Sequence, residues 1–350
     1  FNPTNKYLAS ALERMEDGEA AQVMASGMGA ISTTLMTLCA AGDEIVCGRS
    51  IYGGTYALLK NLLPRFGVQT RFVDLCDADA VRAAMTPRTR VIYCESLSNP
   101  LLEVSDLPQL AAMAHAGGAR LVVDNTFTPM ILSPLRLGAD VVVHSLTKFI
   151  NGTSDCVAGC VVSTREFIGR LNDINSGPSM LLGPVLDSTR AASILKNLHS
   201  LHIRLRQHGS NALHLANGLA ALGYTVHYPG LATHPQHELL ARLMNPGYGW
   251  GGMMTFDAGN HAAANRLMTL MQREKVGYLA VSLGYFKTLF TTPGHSTSSE
   301  IPLAERQAAG LSDGLIRFSI GLDADIAQTT ARILSCLAEA EISPGDRPTR

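Results

Sequence analysis

Lysine is scarce in this sequence, and one of its six lysines sits where an amine would be reactive. Lys148 follows the aliphatic run Val141-Val142-Val143 and precedes Phe149-Ile150. Apolar surroundings disfavour the ammonium form and lower its pKa. A neutral amine attacks a carbonyl to form a Schiff base. The plainer reading is a lysine reaching from a strand end to water. Asp124 closes a second aliphatic run, Leu121-Val122-Val123, where a carboxylate needs a cationic partner. The protonated ring nitrogen of pyridoxal phosphate is such a partner, and an aspartate there strengthens the ring as an electron sink. A helix cap, or an ion pair with Arg120, would satisfy the same carboxylate.

A phosphate group would find partners nearby. Ser26-Gly27-Met28-Gly29 precedes a helical stretch from Ala30 to Ala40, and small residues at a helix start leave backbone N–H groups free to face an anion. Ser145 and Thr147, on alternate positions before Lys148, would add hydroxyl donors. Neither GxGxxG after the first strand nor GxxxxGK[ST] occurs, so dinucleotide and P-loop readings lose their main support. His199 with His202, and His234 with His237, lack further ligands at zinc-like spacing, and no metal is expected. Met268 and Met271 fit a helix face packed into a core.

The chemistry requires a scaffold, and the chain has the length and composition for one. Its 350 residues are 46% apolar and 16% charged, with a formal net charge of -1. That balance excludes the broad basic field of a nucleic-acid binder and the polarity of a disordered chain. No aliphatic run approaches the ~18–20 residues of a membrane span. The seven cysteines are an odd number without a CxxC pair, which reads as buried thiols in a reducing compartment.

Short aliphatic runs at Glu44–Gly48, Thr70–Leu75, Arg90–Ser96, Arg120–Thr126 and Asp140–Lys148 alternate with helical stretches such as Asn5–Asp17, Tyr52–Leu63 and Asp106–Ala116. Buried strands alternating with helices predict an α/β fold with a mostly parallel sheet. Ligands of such sheets gather at the carboxyl ends of the strands, where Asp124 and Lys148 fall. From about residue 199 longer amphipathic segments appear, among them His261–Arg273 and Ala324–Ala340. The expected organisation is a large α/β domain over 1–198 and a smaller α+β domain over 199–350, without internal repeats.

Read together, these segments resemble the Cys/Met-metabolism branch of pyridoxal-phosphate enzymes, the cystathionine γ-synthase and γ-lyase group. The matching pieces are Asn2-Pro3-Thr4, Ser26-Gly27-Met28, Tyr52-Gly53-Gly54-Thr55, Glu95-Ser96 with Asn99-Pro100, Val123-Asp124-Asn125-Thr126-Phe127, Ser145-Leu146-Thr147-Lys148-Phe149, Val281-Ser282-Leu283-Gly284 and Arg317-Phe318-Ser319-Ile320-Gly321. They occur in family order along nearly the whole chain. Tyr228-Pro229-Gly230-Leu231, Thr233-His234-Pro235-Gln236-His237 and Ser296-Thr297-Ser298-Ser299-Glu300 resemble the plant-type methionine γ-lyases and their bacterial relatives more than the synthases.

The resemblance implies the fold of type I pyridoxal-phosphate transferases. It also implies pyridoxal 5'-phosphate held covalently by Lys148, which then serves as the mobile acid and base. Asp124 would bind the ring nitrogen. Tyr52 would stack on the ring and act as the acid near the leaving sulfur. Gly27, Met28, Thr126, Ser145 and Thr147 would complete the cofactor site. Arg317, helped by Asn99 and the backbone near Ser282, would grip the substrate carboxylate.

The activity so implied is γ-elimination of a small sulfur amino acid, L-methionine, to methanethiol, 2-oxobutanoate and ammonia in a cytoplasmic homotetramer of dimers that share active sites. Cystathionine γ-synthase, cystathionine γ-lyase and O-acylhomoserine sulfhydrylase activities would use the same cofactor residues. A non-catalytic assembly module on the same fold would be expected to lose Lys148 or Arg317, and both are present. Gly54 stands where the bacterial methionine γ-lyases carry cysteine, and Lys287 where a glutamate is usual. The family places a Tyr and an Arg just before Asn-Pro-Thr; with Phe1 at the start, that amino-terminal arm is expected to be missing or truncated.

Overall fold

The computed structural model describes residues 2–308 and 310–345. Seven strands form the main sheet: β1 (Ala20–Met24), β2 (Glu44–Gly48), β3 (Gln69–Val73), β4 (Thr89–Glu95), β5 (Arg120–Asp124), β6 (Val141–Ser145) and β7 (Gly159–Ser163). Their order is β1-β7-β6-β5-β4-β2-β3. Every pair from β3 to β6 is parallel, and β7 runs antiparallel to both β6 and β1. The sheet is therefore mostly parallel. Strands β2, β5 and β6 are buried along nearly their whole length, which is why they read as unbroken aliphatic runs rather than alternating ones.

Local chemistry sets the helix boundaries. In α1 (Pro3–Glu16), Asn2 Oδ1 accepts the Thr4 N–H at 2.9 Å and Pro3 occupies the first turn, a position that tolerates a missing N–H. In α2 (Gly27–Leu38), Ser26 Oγ accepts the Gly29 N–H at 2.9 Å. The single helix expected over Tyr52–Leu63 is divided instead. It comprises α3 (Gly53–Ala57), a π-helical turn Leu58–Leu62 and a 3-10 turn Leu63–Phe66. Pro64, without an N–H, cannot continue an α-helical ladder there. Strands β1 and β7 carry no clear alternation in the sequence, and pairing with each other and with β6 brings them into the sheet.

Beyond the main sheet lies a five-stranded sheet of β8 (Val226–His227), β9 (Met253–Asp257), β10 (Tyr278–Leu279), β11 (Leu289–Thr291) and β12 (Leu315–Ser319), ordered β10-β11-β12-β9-β8. Met268 and Met271 pack with Phe256, Phe290 and Phe318 in its core. Leu201 and Leu205, at the start of the helix Leu201–Ala221, pack instead with Leu8, Leu12 and Phe149 beside the main sheet. All seven cysteines are free thiols. No helix among the described residues is long and apolar enough to cross a membrane.

One polar cluster ties α1 to the sheet. Glu16 and His144 are both fully buried, with His144 Nε2 and Glu16 Oε1 2.6 Å apart. Asn125 Nδ2 donates to the same oxygen at 3.0 Å. Removing the carboxylate strands two buried groups, so Glu16→Ala should destabilise the protein by about 3–5 kcal/mol. Urea unfolding measures this; a loss below about 0.5 kcal/mol, the range of surface substitutions, would show that the cluster carries little stability.

Candidate active site

The strand order places the carboxyl ends of β4, β5 and β6 side by side, so Glu95, Asp124 and Ser145 end adjacent strands. The amino end of α2, which follows β1, closes on the same edge. A cleft of about 260 Å³ opens there. Its wall contains Gly27, Met28, Tyr52, Asn99, Asp124, Thr126, Ser145, Thr147, Lys148 and Arg317. Ser282 joins them through a hydrogen bond: Lys148 Nζ donates to its Oγ at 3.1 Å. Residues far apart in the chain thus converge on one small volume.

Burial alters each ionisable group in that volume. Lys148 is lowered to about 8, chiefly by desolvation and secondarily by the positive charge of Arg317. Asp124 is pushed upward by burial, against the opposing effect of Thr126. Its Oδ1 accepts the Thr126 N–H at 3.0 Å, and Thr126 Oγ1 in turn accepts the Ser145 N–H at 2.8 Å. Thr126 thereby locks the end of β5 to the end of β6. Arg317 is 2% exposed and lowered to about 10 by burial. Its Nη1 donates to Asn99 Oδ1 at 2.9 Å, and its Nη2 donates to the carbonyls of Val281 and Ser282, each at 3.3 Å.

Close packing shapes the remaining wall. A Cβ on Gly27 would lie 2.9 Å from Ser145 Cβ, so only glycine lets α2 approach β6 this closely. The first-turn N–H groups of α2 have no partner within the helix and start beside Ser145. Ser145 Oγ makes no hydrogen bond among the described residues, whereas the Thr147 hydroxyl donates to the Ala158 carbonyl at 3.2 Å and accepts the Ala158 N–H at 3.1 Å. Tyr52, 40% exposed, lies over Gly54: a Cβ there would come within 2.5 Å of the tyrosine Cε1. Burial, followed by the Glu300 charge, raises the Tyr52 phenol. Lys287 is exposed and does not line the cleft.

The sequence by itself assigns Glu95 no role beyond its place in the Glu95-Ser96 motif. The carboxylate lines the cleft; its position at a strand end, one pairing step from Asp124, was the available signal. The histidine candidates serve elsewhere. His237 stacks on Trp250 at 4.3 Å, and His234 Nδ1 accepts the Gln236 N–H. Gln236 in turn bonds both backbone groups of Val104.

A family model described as Cys/Met metabolism PLP-dependent enzyme matches residues 1–329. The chain belongs to that family. It is 44% identical over 324 residues to a methionine γ-lyase of Arabidopsis thaliana, covering 92% of this chain and 74% of the relative. An L-methionine γ-lyase of Fusobacterium nucleatum subsp. polymorphum is 41% identical over 326 residues, covering 92% and 81%. Among solved structures, a cystathionine γ-lyase from Lactobacillus plantarum complexed with L-serine superimposes with a TM-score of 0.90 at 32% identity, covering 97% of this chain and 87% of that one.

Members of the family depend on pyridoxal phosphate, and the residues of the cleft suit that molecule. A desolvated lysine amine, a buried carboxylate with a raised pKa and a glycine-tight helix start beside a free serine hydroxyl match its aldehyde, ring nitrogen and phosphate in charge and chemistry.

Two outcomes follow from this geometry. Gly27→Ala should weaken cofactor binding by roughly tenfold or more, about 1.4 kcal/mol, because the added methyl separates α2 from Ser145; fluorescence titration of cofactor-free protein would read the change. The rate at which that protein captures the cofactor should rise with pH through about 8, as Lys148 deprotonates, and then level off. A rate still climbing toward the ordinary lysine value of ~10.4, followed by absorbance after rapid mixing, would show that the Lys148 amine is not desolvated.

Proposed function

We propose that this protein is a carbon–sulfur lyase that cleaves L-methionine by γ-elimination, releasing methanethiol, 2-oxobutanoate and ammonia with uptake of one water. The observation that carries the reading is the convergence of the Lys148 amine, the Asp124 carboxylate and the Arg317–Asn99 pair on one cleft, in a chain 44% identical to a methionine γ-lyase. The solved cystathionine enzymes are similar in fold at lower identity.

Gly27, Met28 and Ser145 would hold the cofactor's phosphate, with Thr147 fixing the loop behind them, and Thr126 would hold Asp124 and Ser145 in register. Asp124 would keep a proton on the ring nitrogen. Bound there, pyridoxal phosphate supplies the electron sink for negative charge developing on the substrate. Arg317 and Asn99 would take the α-carboxylate in a charge-assisted pair, which aims the α-proton at Lys148. The lysine amine, held by Ser282 Oγ, would remove that proton, give it up again within the site, and as the restored neutral amine take one from the β-carbon. The Tyr52 phenol, protonated at neutral pH at its ordinary value of ~10 and raised further by burial, would deliver its proton to the departing sulfur.

An exposed apolar segment beside the start of α2 supports a shared site. Met180, Leu181, Leu182 and Val185 are all more than half exposed, and this segment packs against the start of α2 through Pro184. A second copy covering it, within a tetramer of dimers, would remove this apolar surface from water. The free thiols suit the reducing conditions of the cytoplasm.

Purified holoenzyme should yield 2-oxobutanoate and methanethiol from methionine. Product from cystathionine or O-acetylhomoserine but none from methionine would refute the assignment in favour of those substrates. Borohydride should fix the cofactor mass on Lys148, and Lys148→Ala should abolish turnover. Arg317→Ala should lower kcat/KM by roughly ten- to hundredfold, the worth of a charged hydrogen bond, about 1.5–3 kcal/mol.

A further inference from the structure

We infer that Glu95 is the positioning residue of this site, a single carboxylate that sets the Tyr52 loop and the Asn99 segment in one register. The inference rests on the substrate-carboxylate role proposed above for Arg317 and Asn99. Glu95 ends β4 and is 7% exposed. Its Oε1 accepts the Tyr52 N–H at 2.8 Å, and its Oε2 accepts the Asn99 N–H at 2.7 Å. The Ser105 hydroxyl donates to the Glu95 carbonyl at 2.7 Å, which pins the backbone from which the side chain projects.

The two amides belong to residues at opposite ends of the proposed reaction. Asn99 Oδ1 receives Arg317 Nη1 at 2.9 Å; Tyr52 faces the end where sulfur departs. From Glu95 a continuous chain of contacts runs through Asn99, Arg317 and Ser282 to Lys148 Nζ. Burial and the Asp124 charge raise this carboxyl to about 8, while the two N–H donors and Arg317 favour its ionised form, the form that offers acceptors at both ends of one rigid plane. A glutamine in its place would turn an NH2 toward one of the two amides, leaving a buried donor facing a donor. An aspartate would keep the charge and lose a methylene of reach. The Glu95 charge also favours the buried Arg317 guanidinium, so the clamp carries its counterion before substrate arrives.

The test uses holoenzyme and two unreactive ligands followed by the visible spectrum of the bound cofactor. Norleucine carries the α-carboxylate, and n-pentylamine is the same molecule without it. Glu95→Gln and Glu95→Asp should each weaken norleucine by roughly tenfold or more, the scale of one charged hydrogen bond. Binding of n-pentylamine and cofactor content should match wild type. Equal weakening of both ligands, unchanged norleucine binding, full rescue by Glu95→Asp or loss of cofactor from both variants would each overturn the inference. The substrate assignment stands or falls separately on 2-oxobutanoate production by the wild type, because neither ligand is turned over.

Discussion

An amine and a guanidinium share one small cleft with two carboxylates, and none of the four is solvated as it would be in water. Lys148 is lowered and Asp124 and Glu95 are raised for the same reason, the withdrawal of charge from solvent at the carboxyl edge of the main sheet. Arg317 stays charged there because Asn99 and two backbone carbonyls accept its hydrogen bonds and the Glu95 charge favours it. Low local polarity strengthens every one of these interactions. The result is a lysine that gives up its proton near pH 8 beside an arginine that stays charged, and the proposed proton transfers need that division of labour.

Such burial is possible only because neighbouring backbone segments come unusually close. Gly27 brings α2 onto Ser145, and Gly54 gives the Tyr52 ring its place. A side chain at position 54 could not coexist with this tyrosine position, so the glycine there permits the posture of the aromatic ring. Behind the sheet, Glu16, His144 and Asn125 form a dry polar cluster on the opposite face of the same strand ends. The cleft therefore rests on strands held from both sides.

The main architecture was legible because buried parallel strands leave an obvious mark. Five aliphatic runs mark β2, β3, β4, β5 and β6, with ends that agree to within about three residues. β1 and β7 offer shorter apolar runs, Val23-Met24 and Cys160-Val161-Val162, and enter the sheet by pairing with each other and with β6. The Tyr52 helix was read as continuous, whereas its backbone divides into three helical forms near Pro64. At the cleft, Lys148 and Asp124 stood out as charges set against aliphatic runs, and Arg317, Asn99 and Ser282 entered through the family resemblance. Glu95 carries no such signal, because a carboxylate at a strand end looks the same in sequence whether it faces water or bridges two amides.

Residue type and order were sufficient to determine that this chain makes an α/β protein of the Cys/Met-metabolism family, because hydrophobic runs, cap residues and motif order are local properties. Only the tertiary structure decided which groups meet, how far each is desolvated and what each hydrogen bond joins. Those quantities depend on distances between residues such as Glu95, Tyr52 and Arg317, which the linear chain separates and the fold brings together.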